Sequence, residues 1–290
     1  MNRGIFFKTI GGLIMKTSVS FYTFGQDVDI REACEQSKAA GYDGVELCVS
    51  ENGQLNMKTT DKELQQLRAM IGDMGLEISS IGAWNLWEHN LAGYDEADAT
   101  CASDIIKKQI ECAQALGADA TLVVPGWVGT NFAPGIVRYD HAYENAQKRL
   151  AALAPVAEAA HVALGVENVW NKFLLSPIEM CRFLDEIGSD YVGAYFDVGN
   201  IIYIGYPDQW IDILGHRIKR LHFCDCRAEQ AGLGMFVDLF EGDVEFDKVM
   251  EAAKRIGYDR WATVEFLPNY KRFPYQSIIN ARLSLNQILK

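Results

Sequence analysis

Val192-Gly-Ala-Tyr-Phe-Asp-Val-Gly-Asn200 and Arg220-Leu-His-Phe-Cys-Asp-Cys-Arg227 decide the reading of this chain. Each is an apolar run with one strong metal-ligating side chain near its end, Asp197 in the first and His222 in the second. Between them, Pro207 to Ile218 places Trp210, Ile211, Ile213 and Leu214 at helical spacing. Strand, helix and strand in that order make a parallel crossover unit. The loops at the carboxyl ends of such strands carry chemistry, so Asp197 and His222 are expected side by side on one rim.

The same alternation extends in both directions. Upstream, strands are expected at Thr17–Phe24, Gly44–Ser50, Glu77–Trp84, Ala120–Pro125 and Ala163–Asn168, and downstream at Trp261–Phe266. Helical stretches follow at Ile30–Ala40, Asp61–Met74, Asp95–Leu116, Tyr139–Ala160, Pro177–Ile187, Asp243–Ile256 and Ser277–Leu289. The helix endings Asp-Met-Gly75, Ala-Leu-Gly117, Glu-Ile-Gly188 and Arg-Ile-Gly257 place a glycine where a left-handed cap is needed. Eight strand-helix pairs predict an α/β fold, a single (β/α)8 TIM barrel over residues 16–290 with residues 1–15 as an N-terminal extension.

Composition excludes several classes. The 290 residues are 49% hydrophobic, enough to fill one barrel of about 250 residues. With 27 basic against 39 acidic side chains the net charge is −12, which opposes binding to a phosphate backbone. The seven cysteines are scattered and odd in number, as expected for free thiols in a reducing cytoplasm. Cys224 and Cys226 read as alternate strand residues, with no second pair at zinc-site spacing. Met1 to Met15 is a poor signal peptide and too short to span a bilayer. These features predict a cytoplasmic protein without nucleic-acid or membrane partners; a homo-oligomer, dimer or tetramer, stays open.

In a barrel of this order, Glu167, Asp197, His222 and Glu265 stand at the tips of four consecutive strands, whose neighbours lie about 4.8 Å apart. Any one of them could be a strand-end side chain satisfied by a hydrogen bond. Four together point to a site, because carboxylates buried in apolar strands are expensive unless paired or bound to metal. Three oxygen donors and one imidazole suit one hard divalent ion, Mn²⁺ foremost, with Mg²⁺ or Co²⁺ as alternatives.

Gly165-Val-Glu-Asn168, Phe196-Asp-Val-Gly-Asn200, Leu221-His-Phe-Cys-Asp225, Glu241-Gly-Asp-Val-Glu-Phe246 and Thr263-Val-Glu-Phe266 resemble the motifs of the xylose-isomerase-like TIM barrels, in their sugar phosphate isomerase and ketose 3-epimerase branch. The resemblance covers about residues 16 to 290. It implies one divalent metal on Glu167, Asp197, His222 and Glu265, proton transfer by Glu167 and Glu265, and a substrate contact from Arg227. Free-ketose epimerases usually carry a histidine three residues after the aspartate. Here that position is Asn200, a form more like the pentulose-5-phosphate 3-epimerases, and Arg227 lies one residue closer to His222 than in the free-ketose enzymes.

The expected activity is metal-dependent 3-epimerisation of a ketose, free or phosphorylated, by two-glutamate proton transfer through a metal-bound enediolate. Aldose-ketose isomerisation and a lyase reaction share that intermediate. Trp84 and Trp127, at the ends of strands three and four, are placed to pack on a sugar face, or are rim aromatics. Glu46 either reaches the cavity or is a strand-end charge; Asp225 either orients His222 or binds substrate; His89, Lys172 and Arg138 read as surface groups. Arg227, the Gly232 to Gly234 turn and Lys271-Arg272 could receive a phosphate, whereas Trp84, Trp87, Trp127 and Trp170 favour an uncharged sugar. Two other classes compete. Apurinic-site endonucleases use the same barrel but need many histidines, and this chain has five, at 89, 141, 161, 216 and 222. A sugar-binding barrel or inactive subunit would not need the intact ligand set.

Overall fold

Side chains alternate across a strand, so a barrel strand presents every second residue to the interior and the others to the helix layer. In the computed structural model, which describes residues 15–26, 28–131, 133, 135–230, 232–265 and 270–290, this rule sorts the site from the core. Phe196 stacks on Trp210 in the helix layer with ring centroids 5.8 Å apart, which sends its neighbours Tyr195 and Asp197 to the barrel interior.

The strands are β1 (Lys16–Ser20), β2 (Gly44–Val49), β3 (Glu77–Ala83), β4 (Ala120–Val123), β5 (Ala163–Glu167), β6 (Val192–Asp197), β7 (Ile218–Phe223) and, after a two-stranded ribbon of β8 (Asp225–Cys226) and β9 (Phe236–Val237), β10 (Trp261–Val264). Among the described residues β1 to β7 and β10 close into an all-parallel barrel in the order β1-β10-β7-β6-β5-β4-β3-β2. Eight helices of the described residues cover it: α1 (Ile30–Ala40), α2 (Asp61–Asp73), α3 (Glu96–Leu116), α4 (Tyr139–Ala160), α5 (Pro177–Ile187), α6 (Pro207–Leu214), α7 (Phe246–Arg255) and α8 (Gln276–Ile288). The single (β/α)8 barrel expected from the alternation is therefore the observed fold. No helix of the described residues is long and apolar enough to cross a membrane. Apart from Met15, the expected extension lies outside the described residues.

Local chemistry sets the ends of these elements. Asp29, Thr60, Asp95 and Ser176 cap helices by accepting from first-turn N–H groups. Gly75, Gly117, Gly188 and Gly257 all have positive φ. The first strand is shorter than its apolar pattern suggests, because the Ser20 hydroxyl accepts from Tyr22 N–H and turns Phe21–Thr23 into a 3-10 turn. The expected strand through Arg227 also breaks after Phe223. Asp225 is the cause: its carboxylate accepts N–H bonds from Cys226, Phe240, Gly242 and Val244 at 2.9 to 3.1 Å, folding the 225–246 loop back on itself. A side chain at Gly242 would strike that carboxylate, 2.1 Å from an added Cβ.

The barrel floor is closed by Arg220, which is 1% exposed. It reaches from β7 across to β3, donating from Nε and Nη2 to the Ser79 carbonyl at 3.2 Å, and pairs with Asp119 at the foot of β4. Arg220→Ala would remove both bonds to that carbonyl and open a cavity. The expected cost is about 3–5 kcal/mol, read as a lower urea midpoint at unchanged m value; a midpoint equal to wild type would show that the floor does not depend on it.

Candidate metal centre

Parallel registry brings the strand tips into one ring. Asp197 of β6 sits directly opposite His222 of β7, and Thr263, two residues before Glu265, is opposite His222 on the other side. Glu167 ends β5. Ligand atoms of Glu167, Asp197, His222 and Glu265 all lie within 4.8 Å of one another, and all four residues are buried.

Each ligand is held by the residues beside it. Asn168 acts as an extra piece of strand: its side-chain carbonyl accepts from Asp197 N–H at 2.9 Å and its NH₂ donates to the Asp197 carbonyl at 2.8 Å. Asp197 Oδ1 then accepts from the N–H groups of Gly199 at 2.8 Å and Asn200 at 2.6 Å. The Cys224 thiol lies 3.1 and 3.2 Å from the two Asp197 oxygens. This packing explains Gly199 in the Asp-Val-Gly-Asn motif, since an added Cβ would lie 2.5 Å from Cys224 Sγ.

His222 is fixed from below by Glu46 of β2, which is fully buried. His222 Nε2 is 3.1 Å from Glu46 Oε1, and Glu46 Oε2 accepts from Ser80 Oγ and Tyr195 OH, each at 2.5 Å. Burial alone would raise the Glu46 carboxyl, but the charge and hydrogen bond of His222, with hydroxyls of Ser20 and Ser80, hold it down to about 2. Burial opposes a charged His222, and Glu265, Tyr195 and Glu46 overcome this to raise its pKa well above the ordinary value. With Nε2 committed, His222 Nδ1 faces the rim, 3.2 Å from Glu265 Oε2 and 3.8 Å from Glu167 Oε1. It is buried and makes no directed hydrogen bond.

The carboxylates oppose one another. Burial first, and then the Glu265 charge, push Glu167 up to about 8 and Asp197 up to about 7. An orphaned imidazole nitrogen among three crowded carboxyls fits one divalent cation, bound by three oxygens and Nδ1, with Glu46 in the orienting position that metal-bound histidines require.

A cavity of about 270 Å³ opens above this ring, lined by Glu167 and Glu265, by Tyr22, Trp84, Trp87, Trp170 and Phe236, and by Asn200. Trp84 packs edge-on against Tyr22 with centroids 4.5 Å apart. Asn200 also donates its amide to the Asn168 carbonyl at 3.2 Å. Two candidates are not brought here. Trp127 is buried, with its N–H and carbonyl both bonded to the Asn90 side chain at 2.9 Å, and does not line the cavity. Arg227 is swung outward by the ribbon, exposed, with Nη2 3.8 Å from Glu241 Oε2. Asp225 neither orients His222 nor faces the cavity, being spent on the loop. His89 pairs with Asp98 at 2.7 Å.

Sequence similarity identifies the relatives of this barrel. The xylose isomerase-like TIM barrel family matches residues 34–278. The chain belongs to that family. An uncharacterised protein of Methanocaldococcus jannaschii is 26% identical over 188 residues, 61% of this chain and 60% of its own length. An inosose dehydratase of Lacticaseibacillus casei is 24% identical over 263 residues, 83% of each chain. Among solved structures, D-psicose 3-epimerase from Clostridium cellulolyticum H10, with D-tagatose, superposes with a TM-score of 0.77 over 94% of this chain and 98% of that one, at 16% identity. Family membership accords with the motifs around Glu167, Asp197, His222 and Glu265, while Glu46 was visible in the sequence only as an acid inside the apolar run Gly44-Val-Glu-Leu-Cys-Val49.

Glu46→Gln keeps the shape of the network and removes its charge, so Mn²⁺ affinity should fall about 10–100-fold with the fold intact by circular dichroism; unchanged affinity would detach Glu46 from the site. Protonation gives a second expectation. Glu167 and Asp197 bind protons more tightly in the folded than in the unfolded chain, so the metal-free fold is favoured at low pH and loses that increment as pH rises through about 7 and about 8. Metal binding must expel the same protons. Calorimetry in buffers of differing ionisation enthalpy should show Mn²⁺ affinity rising with pH across this window, with proton release; a flat profile would contradict it.

Proposed function

We propose that the chain is a divalent-metal-dependent sugar epimerase that exchanges the proton on the carbon beside a ketose carbonyl, inverting that carbon at C3. The observation that carries this reading is that Glu167 and Glu265, two of the four buried residues grouped at the strand tips, both line the cavity above them. Bound by Glu167, Asp197, His222 and Glu265, a divalent cation supplies Lewis-acid polarisation of a carbonyl oxygen; Mn²⁺ is the first choice for a site of three carboxylates and one imidazole, with Mg²⁺ and Co²⁺ next.

The chain's own groups do the rest. Carboxylates within reach of a carbon can take up and return its proton, and Glu167 and Glu265 both line the cavity. Glu167 and Glu265 come from β5 and from the end of β10, so a sugar seated between them meets one carboxyl on each side. One takes the proton from one face of the carbon and the other returns a proton to the opposite face. His222 is held still by Glu46, and Asp197 by Asn168, Gly199 and Cys224. Trp84, Trp87 and Trp170 offer indole surface to sugar C–H groups and exclude water. No lysine or arginine among the described residues lines the cavity, which supports an uncharged sugar over a phosphate ester at this position.

A second reading, loss of water from the same deprotonated sugar, is favoured by the 24% identity to an inosose dehydratase. Mass spectrometry in D₂O with Mn²⁺ present separates the two. The expected product is a ketose of unchanged formula with one deuterium at C3. A product lighter by one water would establish the dehydratase reading, and an epimer of unchanged formula without solvent deuterium would overturn both. Glu167→Gln and Glu265→Gln should each lower kcat at least about 10²-fold, and full activity in either variant would remove that residue from its role.

A further inference from the structure

Beside the metal cavity lies a second one of about 390 Å³, larger than the first and sharing Val169, Trp170 and Asn200 with it. Trp170 is the partition. Its indole N–H donates to the Asn200 carbonyl at 3.2 Å, and its ring stacks on Phe236 with centroids 4.9 Å apart and planes 22° from parallel. The far walls come from the loops that follow β4, β5 and β6. Nothing in the proton exchange described above uses this space.

The lining says what would fill it. Apolar groups dominate, and three at the mouth stay uncovered: Leu175 is 50%, Tyr203 56% and Ile204 45% exposed. Clustered exposed apolar side chains around a concave site mark a ligand-binding surface. Amides at the edge, such as that of Gln230, match hydroxyls, while Tyr203 and Trp170 match the C–H face of a ring. A phosphate would instead need a nest of N–H groups or several cations, and Lys172 is the only charged side chain among the described residues lining the cavity. The metal cavity, about 270 Å³, lies just below the usual range for small-molecule sites and suits one sugar ring; the two cavities adjoin and suit two.

We propose that the second cavity is a subsite for a glycosyl ring, so that the chain acts on a ketose that carries a second sugar rather than on a bare monosaccharide. This rests on the ketose reading of the first cavity. The test is calorimetric titration of Mn²⁺-loaded protein with fructose, with the glucosyl-fructose isomaltulose, with the galactosyl-fructose lactulose and with fructose 6-phosphate. At least one disaccharide should bind about tenfold or more tightly than fructose, the gain expected from burying one ring's apolar face. Ile204→Trp and Leu175→Trp, which fill the second cavity from its half-exposed mouth, should each erase that preference while leaving fructose affinity within about twofold of wild type.

Equal affinities, undetectable binding of both disaccharides, or a preference that survives both filling variants would overturn the proposal. So would tighter binding of fructose 6-phosphate that is lost in Lys172→Ala. Failure of the reaction reading looks different. In that case the disaccharide preference persists but no solvent deuterium enters any sugar, whereas failure of the subsite alone leaves deuterium exchange on fructose with no preference for the larger ligands.

Discussion

Glu46 and His222 form an ion pair with no solvent on either side, and the arrangement of the site follows from it. A buried pair is stable only if its remaining hydrogen-bonding positions are filled. Here Ser80, Tyr195 and Ser20 fill those of Glu46, while Tyr195 also packs against the imidazole with ring centroids 4.4 Å apart. Because Glu46 occupies Nε2, only Nδ1 can face the rim. A polar layer across the middle of the barrel, where such folds normally pack branched apolar residues, thereby fixes the direction in which one ligand points.

Above that layer the chain accepts unfavourable electrostatics. Three carboxyls meet at the strand tips, two of them displaced well above their ordinary ionisation range. Functional sites are where local rules are broken and the cost is met elsewhere. The surroundings of this crowd are closely bonded: the Asn168 amide splints Asp197, Gly199 approaches Cys224 closely, and four N–H groups bond the Asp225 carboxylate. Arg220 and Asp119 secure the opposite end of the barrel, so the ligand rim and the stabilising floor lie at separate poles.

The barrel was legible because its signals are local. Apolar runs ending in Asp197 or His222, glycine stops at helix ends and caps such as Asp29 and Thr60 each act within a few residues, and strand order then places the four acidic and histidine tips without further information. What could not be read is what depends on contacts across the barrel. Glu46 meets His222 from a strand 176 residues away in sequence, so nothing near it announces the pairing. The apolar pattern points Arg227 and Trp127 to the rim, but the fold ends those strands early: Asp225 captures backbone N–H groups and turns the chain outward, and Asn90 draws Trp127 into the wall. Cys224 looked like ordinary strand filling because a thiol's value as a donor to Asp197 depends on a neighbour brought in by β6.

Anomalous diffraction at the manganese edge, from crystals of the protein loaded with Mn²⁺, addresses the central claim most directly. The account predicts one strong peak in contact with Glu167, Asp197, Glu265 and the Nδ1 atom of His222, with Nε2 still against Glu46. A peak bound through Nε2, or a metal seated away from these four residues, would contradict it.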